Sequence, residues 1–267
     1  MISQEQFVFL SQRHILDAVG IAQEGIHSIK TKNIHAILLK MDLIKAYNRV
    51  DWDFLRLLLI HVGMDHNLVA WIMTCVCNVQ FSILVNGIPM SFFNGHIGLR
   101  QGCPLSPLLF LILIDGLSLM IGEAKNRGLI QGVKVSSSLS ITHILFVDDV
   151  LLFGAHCWEE WRYLPEICST FCKATCMEIS TAKSSFLAPD GWVDRWILDL
   201  IPINCDALED GFMYLGYSLK PLGYKKHDWE WLLVRVECMI GLWRYRWLSL
   251  GSHLTLAKSV LEIIPVY

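Results

Sequence analysis

The 267-residue sequence predicts an α+β fold, and three observations carry that expectation. Apolar residues at Ile15, Val19, Ala22, Ile26 and Ile29 recur with helical spacing, while HAILLKM, SLSITHILFV and VLLFGA are apolar runs of strand length. The two kinds of segment are interspersed along the chain, not grouped in blocks. A hydrophobic content of 54% supplies the core, and no repeat or low-complexity tract interrupts it.

A first helix is expected over about 16–29, followed by the strand that runs into Asp42. The stretch VDWDFLRLLLIHVG reads as a helix with Asp51 as its N-cap and Gly63 as its stop, and a second helix covers about 67–78. QFSILVNGIPMSFF is a hairpin signal, with Asn86-Gly87 as the turn between two strand-like runs. LRQGCPLSP is loop-like and opens into the apolar stretch PLSPLLFLILIDGLSLMIG, Pro104 to Gly122. That stretch reaches membrane-spanning length, but Asp115, two prolines and several small residues favour a buried helix. Further on, a helix is expected over about 158–176, bent or delayed by Pro165, with strand character near 185–187 and 213–217. Two C-terminal helices, about 228–245 and 253–264, flank LSLGS.

Net charge is −3 and the sequence pI about 6.3, so the chain as a whole exerts no general pull on nucleic acid; a locally basic groove could, or the chain is expected to be a piece of something larger. Mean hydropathy is high, at +0.44. The nine cysteines show no CxxC or Cys/His ligand spacing, and the N-terminus has no basic lead before its short apolar stretch. An intracellular protein, nuclear or cytoplasmic and not secreted, is the expectation.

The chemistry concentrates in LFVDDVLLFG, where Asp148 and Asp149 interrupt an apolar run. Adjacent side chains of a strand point to opposite faces, so the two act together only at a turn, and by themselves they serve equally well as turn formers. Asp42 ends another apolar strand in the same manner. Should the strand ends be neighbours, three carboxylates converge and demand cationic counter-charge, which suits Mg²⁺ and the two-metal geometry of phosphoryl transfer.

MDLIKAYNRVDW, GLRQGCPLSPLLF, HILFVDDVLLF, ISTAKSS and YLG follow one another in an order and spacing that resembles the reverse transcriptases of LINE-type (non-LTR) retrotransposons, particularly plant ones, over essentially the whole chain. The resemblance implies a right-hand polymerase palm with an antiparallel sheet and packed helices, with partial fingers at 1–35, the palm and an intervening fingers segment at 36–220, and the start of a helical thumb at 221–267. It implies RNA-directed DNA polymerase activity: two-metal transfer of a nucleotide from a deoxynucleoside triphosphate to a primer 3′-hydroxyl on an RNA template, with Mg²⁺ or Mn²⁺ held by Asp42, Asp148 and Asp149. Tyr47 becomes the aromatic wall beneath the incoming sugar, excluding a 2′-hydroxyl sterically. Arg100, Gln101 and Gly102 become the nucleotide-side loop, Lys183 the lysine that protonates pyrophosphate, and Tyr214, Leu215 and Gly216 the primer grip. From the residues alone, Tyr47 reads as a core aromatic, the loop as a helix junction and Lys183 as a solvated lysine. Arg244, Arg246, His253 and Lys258, set among aromatics, suit either a thumb helix face or a nucleic-acid strand.

Asn48 and Cys103 stand where the family usually has aspartate, Val147 where alanine is commoner, and FLSQR where a Pro-Gly pair precedes arginine, with Arg13 matching. Together with a start inside the fingers, these departures imply a truncated copy with weakened activity. A non-catalytic remnant that binds nucleic acid or protein, an RNA-templated RNA polymerase on the same palm, and a membrane protein built around 105–121 are the competing readings.

Overall fold

The computed structural model describes residues 2–7, 10, 13–137, 139–189, 191, 193–241, 249, 251–252, 254–255 and 258. In chain order the elements are α1 (Ile15–Thr31), β1 (Ala36–Asp42), α2 (Ala46–Arg49), α3 (Trp52–His61), α4 (His66–Cys77), then the short strands β2 (Gln80–Phe81), β3 (Leu84–Val85), β4 (Ile88–Pro89) and β5 (Phe93–Asn94). The chain continues through α5 (Ser106–Asn126), β6 (Val133–Lys134), β7 (Ser140–Ile141), β8 (His143–Phe146), β9 (Asp149–Ala155) and α6 (Trp158–Thr175). It ends with β10 (Ser185–Ala188), α7 (Arg195–Leu198), β11 (Asn204–Ala207), β12 (Phe212–Tyr214), β13 (Tyr217–Leu219) and α8 (Glu230–Gly241).

Five strands form the central sheet in the order β11-β10-β1-β9-β8, antiparallel except for β10 and β11. The alternation of apolar side chains divides the core in two. Ile37, Leu39, Met41, Val150 and Leu152 face a layer built from α3, α5 and α6, while Ala36, Leu38, Leu151 and Phe153 face α1 and the β12–β13 hairpin. Being covered on both sides, β1 and β9 read as continuous apolar runs. The N-terminal segment adds a sixth short edge: Leu145 donates its N–H to Glu5 O at 2.9 Å and accepts from Phe7 N at 3.2 Å.

Capping follows the sequence where a cap residue is present. The Asp51 side chain accepts the Phe54 N–H at 2.7 Å, and Asp65 does the same for Asn67 at 2.9 Å. Pro165 neither delays nor interrupts α6, which runs through it; its ring is buried against the core, and that packing outweighs the one backbone bond it removes. One described helix, Ser106–Asn126, is long and apolar enough to cross a membrane. Most of it is buried inside the fold, and its Asp115 accepts the Ser3 N–H at 3.0 Å. α8 covers the first part of the expected 228–245 helix; the expected helix at 253–264 lies largely outside the described residues, as do Arg244, Arg246 and His253.

Candidate active site at the paired strand ends

β1 and β9 pair in a register that sets Asp42 directly opposite Asp149. Side chains so placed share one face, with Cβ atoms about 5 Å apart, and like charges there repel. Asp148 stands in the adjoining turn and is tied to β1 by its backbone, its carbonyl accepting the Leu43 N–H at 3.3 Å. The turn links β8 to β9 through only Val147 and Asp148, since Phe146 pairs with Asp149. Val147 takes the left-handed conformation, φ +56°. That region is costly for a β-branched side chain, so the crowding expected from the extra methyls falls at the turn that carries the acids.

Burial first, then the charge of Asp148, push the Asp149 carboxyl up to about 6, with Asp42 adding to the effect and Lys40 and Lys183 opposing it. Asp148 is raised for the same leading reason, partly offset by its own backbone N–H. The acids are therefore short of positive charge, as a site for divalent cations should be. Among the described residues no three acidic, histidine or cysteine side chains are gathered into a ready-made ligand cage. Asp42 and Asp149 are paired on neighbouring strand ends with Asp148 in the adjoining turn, and their hard carboxylate oxygens fit Mg²⁺ or Mn²⁺ in donor chemistry.

The segment ISTAKSS is folded onto the end of β1. Ile179 bridges to Leu43, the Ser180 N–H donates to Asp42 O at 2.9 Å, and the Asp42 N–H donates to Ser184 Oγ at 3.0 Å. This brings Lys183 Nζ to 3.6 Å from Asp42 Oδ2 while its side chain stays mostly in solvent.

Tyr47, on α2 just beyond Asp42, stacks flat on Phe110 of α5, with centroids 4.4 Å apart and planes 13° apart. Burial and then the Asp148 charge raise its phenol. The loop of Arg100, Gln101 and Gly102 hangs from the same turn: Leu99 N–H donates to Tyr47 O at 2.6 Å, Gly98 N–H to Val50 O at 2.9 Å, and Trp52 Nε1 to Gly98 O at 2.8 Å. Gly98 is required here. Its φ is +90°, and a Cβ would stand 2.6 Å from Asn48 O. In the sequence, the glycine that opens GLRQGCPLSPLLF carries no sign of that close approach. Gln101 and Gly102 are exposed, whereas the Arg100 guanidinium turns away from the acids to donate to Cys75 O at 3.3 Å.

The β12–β13 hairpin reaches the same end of the sheet. Leu215 and Gly216 form its tip with φ of +50° and +80°. Tyr214 is only 1% exposed, its ring sunk among Leu38, Leu151 and their neighbours on the α1 side; burial, then the Asp149 charge, raise its hydroxyl. The backbone of this hairpin, not the Tyr214 ring, is what a ligand could meet.

Residues 1–219 match the family described as reverse transcriptase (RNA-dependent DNA polymerase). The Pol polyprotein of the R2 retrotransposable element from Popillia japonica is 25% identical over 213 residues, covering 74% of this chain and 32% of its own length. An uncharacterised mitochondrial protein of Arabidopsis thaliana is 40% identical over 75 residues, 28% of this chain and 62% of its own length. The transposon TX1 protein of Xenopus laevis is 24% identical over 190 residues, 70% of this chain and 14% of its own length. The chain thus spans less than two thirds of each of these relatives. Among solved structures, telomerase of Candida tropicalis in complex with a fragment of telomeric RNA superposes with a TM-score of 0.58 at 10% identity, over 94% of this chain and 41% of that one. The Candida albicans telomerase complex gives 0.55 at 12% identity, over 93% and 41%. These neighbours share the mixed helix-and-sheet polymerase fold. With the family match covering most of its length and the acids standing at paired strand ends, the chain belongs to the reverse transcriptase (RNA-dependent DNA polymerase) family.

Proposed function

We propose that this chain is the polymerase palm of a LINE-type retrotransposon reverse transcriptase, of plant type, joining deoxynucleotides to a primer 3′-hydroxyl on an RNA template. In this reading 1–35 is part of the fingers, 36–220 the palm with an intervening fingers segment and 221–267 the start of the thumb, and the protein works inside the cell, in nucleus or cytoplasm. The observation that carries it is Asp42 facing Asp149 across the sheet, with Asp148 in the adjoining turn.

Bound Mg²⁺ or Mn²⁺ would supply the counter-charge that Asp148 and Asp149 are short of and the electrophilic help that in-line phosphoryl transfer needs. The chain's own contributions are separate. Asp42, Asp148 and Asp149 carry negative oxygens at the same end of the paired strands β1 and β9. Tyr47, clamped on Phe110, gives the site a wall that cannot swing aside, which suits discrimination against a 2′-hydroxyl. Lys183 holds a proton near Asp42 and can give it to a departing pyrophosphate. Gln101 and Gly102 offer exposed backbone and amide groups on a loop anchored to Tyr47.

The positive φ of Val147 favours one second reading, a non-catalytic remnant that keeps the fold and binds nucleic acid. Primer extension with RNA template, DNA primer, deoxynucleotides and Mg²⁺ separates the two. The first reading expects extension that Asp148→Asn reduces at least ~10³-fold, the order of loss seen when transition-state charge is left unstabilised. Extension that survives the substitution refutes the mechanism. A folded chain that binds template–primer without extending it establishes the second reading.

A further inference from the structure

One peptide unit ties the nucleotide-side loop to the turn after Asp42, and a side chain holds it there. The Leu99 N–H donates to Tyr47 O at 2.6 Å, and the carbonyl of the same peptide, Gly98 O, accepts the Trp52 Nε1–H at 2.8 Å. Just before it, the Gly98 N–H donates to Val50 O at 2.9 Å. Two of these three bonds join backbone to backbone. Trp52 supplies the side-chain bond from the first residue of α3, whose N-cap Asp51 accepts the Phe54 N–H at 2.7 Å.

Gly98 makes that peptide easy to turn over. Its φ is +90°, and a residue without a Cβ can rotate the following peptide plane at little cost. A rotated plane breaks the Leu99 bond to Tyr47 O and sets two carbonyls against each other. Packing does not oppose this on one side, where Asn48, Trp52, Phe81, Arg100 and Gln101 line a cleft of about 350 Å³. The indole N–H, by holding Gly98 O, does. The ring is itself steadied, because its far edge lies against Gly95, where a Cβ would stand 3.6 Å from Cη2.

We propose that Trp52 is a positioning residue for the incoming nucleotide: its N–H locks the Gly98–Leu99 peptide and so sets the spacing between the Tyr47 wall and the exposed Gln101 and Gly102. The inference rests on the polymerase reading above and adds a residue to it. Tyr47 is held from two sides, its ring by Phe110 and its carbonyl by the locked peptide. A wall held in this way excludes a 2′-hydroxyl by clash, whereas one free to retreat does not. The lock carries none of the three acids, so its loss is felt as weaker nucleotide binding and poorer sugar discrimination, not as slower phosphoryl transfer.

Two replacements at position 52 of the full chain test the proposal: Trp52→Phe, which keeps a ring and loses the N–H, and benzothienylalanine, which keeps the indole's shape with sulfur in place of the N–H. Both should speed hydrogen exchange of the Leu99 amide about fivefold, which is what one neutral hydrogen bond contributes against a local opening. In primer extension on an RNA template both should raise the KM for deoxynucleotides and narrow the preference over ribonucleotides, each about fivefold, with kcat within about twofold of wild type. Trp196→Phe, which removes an indole on α7, should change neither. Unchanged Leu99 exchange in both replacements overturns the lock. Faster exchange with unaltered KM and sugar preference overturns the nucleotide role, and a fall in kcat that tracks unfolded protein makes Trp52 merely structural and overturns it equally. A wild type that extends no primer refutes the polymerase reading and the nucleotide role with it, while the exchange measurement still decides the lock.

Discussion

Glu160, in the first turn of α6, and Asp149, at the start of β9, are two carboxylates taken out of water in the same molecule, and their surroundings differ. Glu160 is 2% exposed and accepts three backbone N–H groups, from Gln131 at 2.9 Å, Gly132 at 3.4 Å and Ala155 at 2.9 Å. Burial raises its carboxyl and these three bonds pull it back. Asp149 is raised first by burial and then by other carboxylates. One acid is a structural clamp between a loop, β9 and α6; the other is held in a position that only added positive charge relieves. Burial alone does not mark a functional acid. The sign of its neighbours does.

The largest effect that would break this contrast is on Glu160. Glu160→Ala leaves three partly buried backbone donors without their acceptor and should cost about 3 kcal/mol of stability, with Glu160→Gln costing less because one amide oxygen still accepts. Urea denaturation measures both. A loss below about 1 kcal/mol for the alanine variant would show that the clamp contributes nothing beyond filling space.

Next is the pH dependence of Asp149. Its folded carboxyl, near 6, holds a proton more tightly than the unfolded chain's, near 3.8, so the native state is favoured at low pH and loses that advantage as pH rises between the two values. The loss from this group should be about 3 kcal/mol, complete slightly above pH 6. Asp149→Asn removes it, so the stability gap between variant and wild type should widen from pH 4 to pH 6 and then stay constant. A gap independent of pH contradicts the assigned environment.

Added Mg²⁺ sharpens the same comparison with a smaller shift. At a concentration ten times its dissociation constant, a ligand of the folded state alone stabilises by about 1.4 kcal/mol. Thermal melting at pH 7 should show that gain for wild type and for Glu160→Gln, but not for Asp42→Asn or Asp149→Asn. An equal gain in all four would place the cation elsewhere.

The sequence showed Asp149 and hid Glu160 for a physical reason. Strand-length apolar runs ending in Asp42 and Asp148 expose the conflict between burial and charge within a few consecutive letters. A glutamate in a helix's first turn is ordinary, and two of the three donors that define Glu160 lie 28 and 29 residues earlier in the chain. The same distance effect hid β11, whose letters NCDA are those of a turn and become a strand only by pairing with Ser185–Ala188. It also hid the ring of Tyr214, since YLG marks a hairpin but not which way its first side chain points.

Val147 sets the smallest effect and bears on the turn that holds the acids. Left-handed backbone costs a non-glycine residue about 1–3 kcal/mol, with β-branched side chains at the unfavourable end. Asparagine is among the side chains that accept this conformation, so Val147→Asn relieves much of the strain. Val147 is half-buried against the core, and losing that contact costs about 1 kcal/mol. The net expectation is a gain of about 0.5 kcal/mol, read as a higher urea midpoint at unchanged slope. The neighbouring Val150, fully buried on a regular strand, has no strain to relieve, so Val150→Asn should only destabilise. If both substitutions lower the midpoint alike, the turn is no more strained than the strand beside it, and strain offers no support for an inactive site.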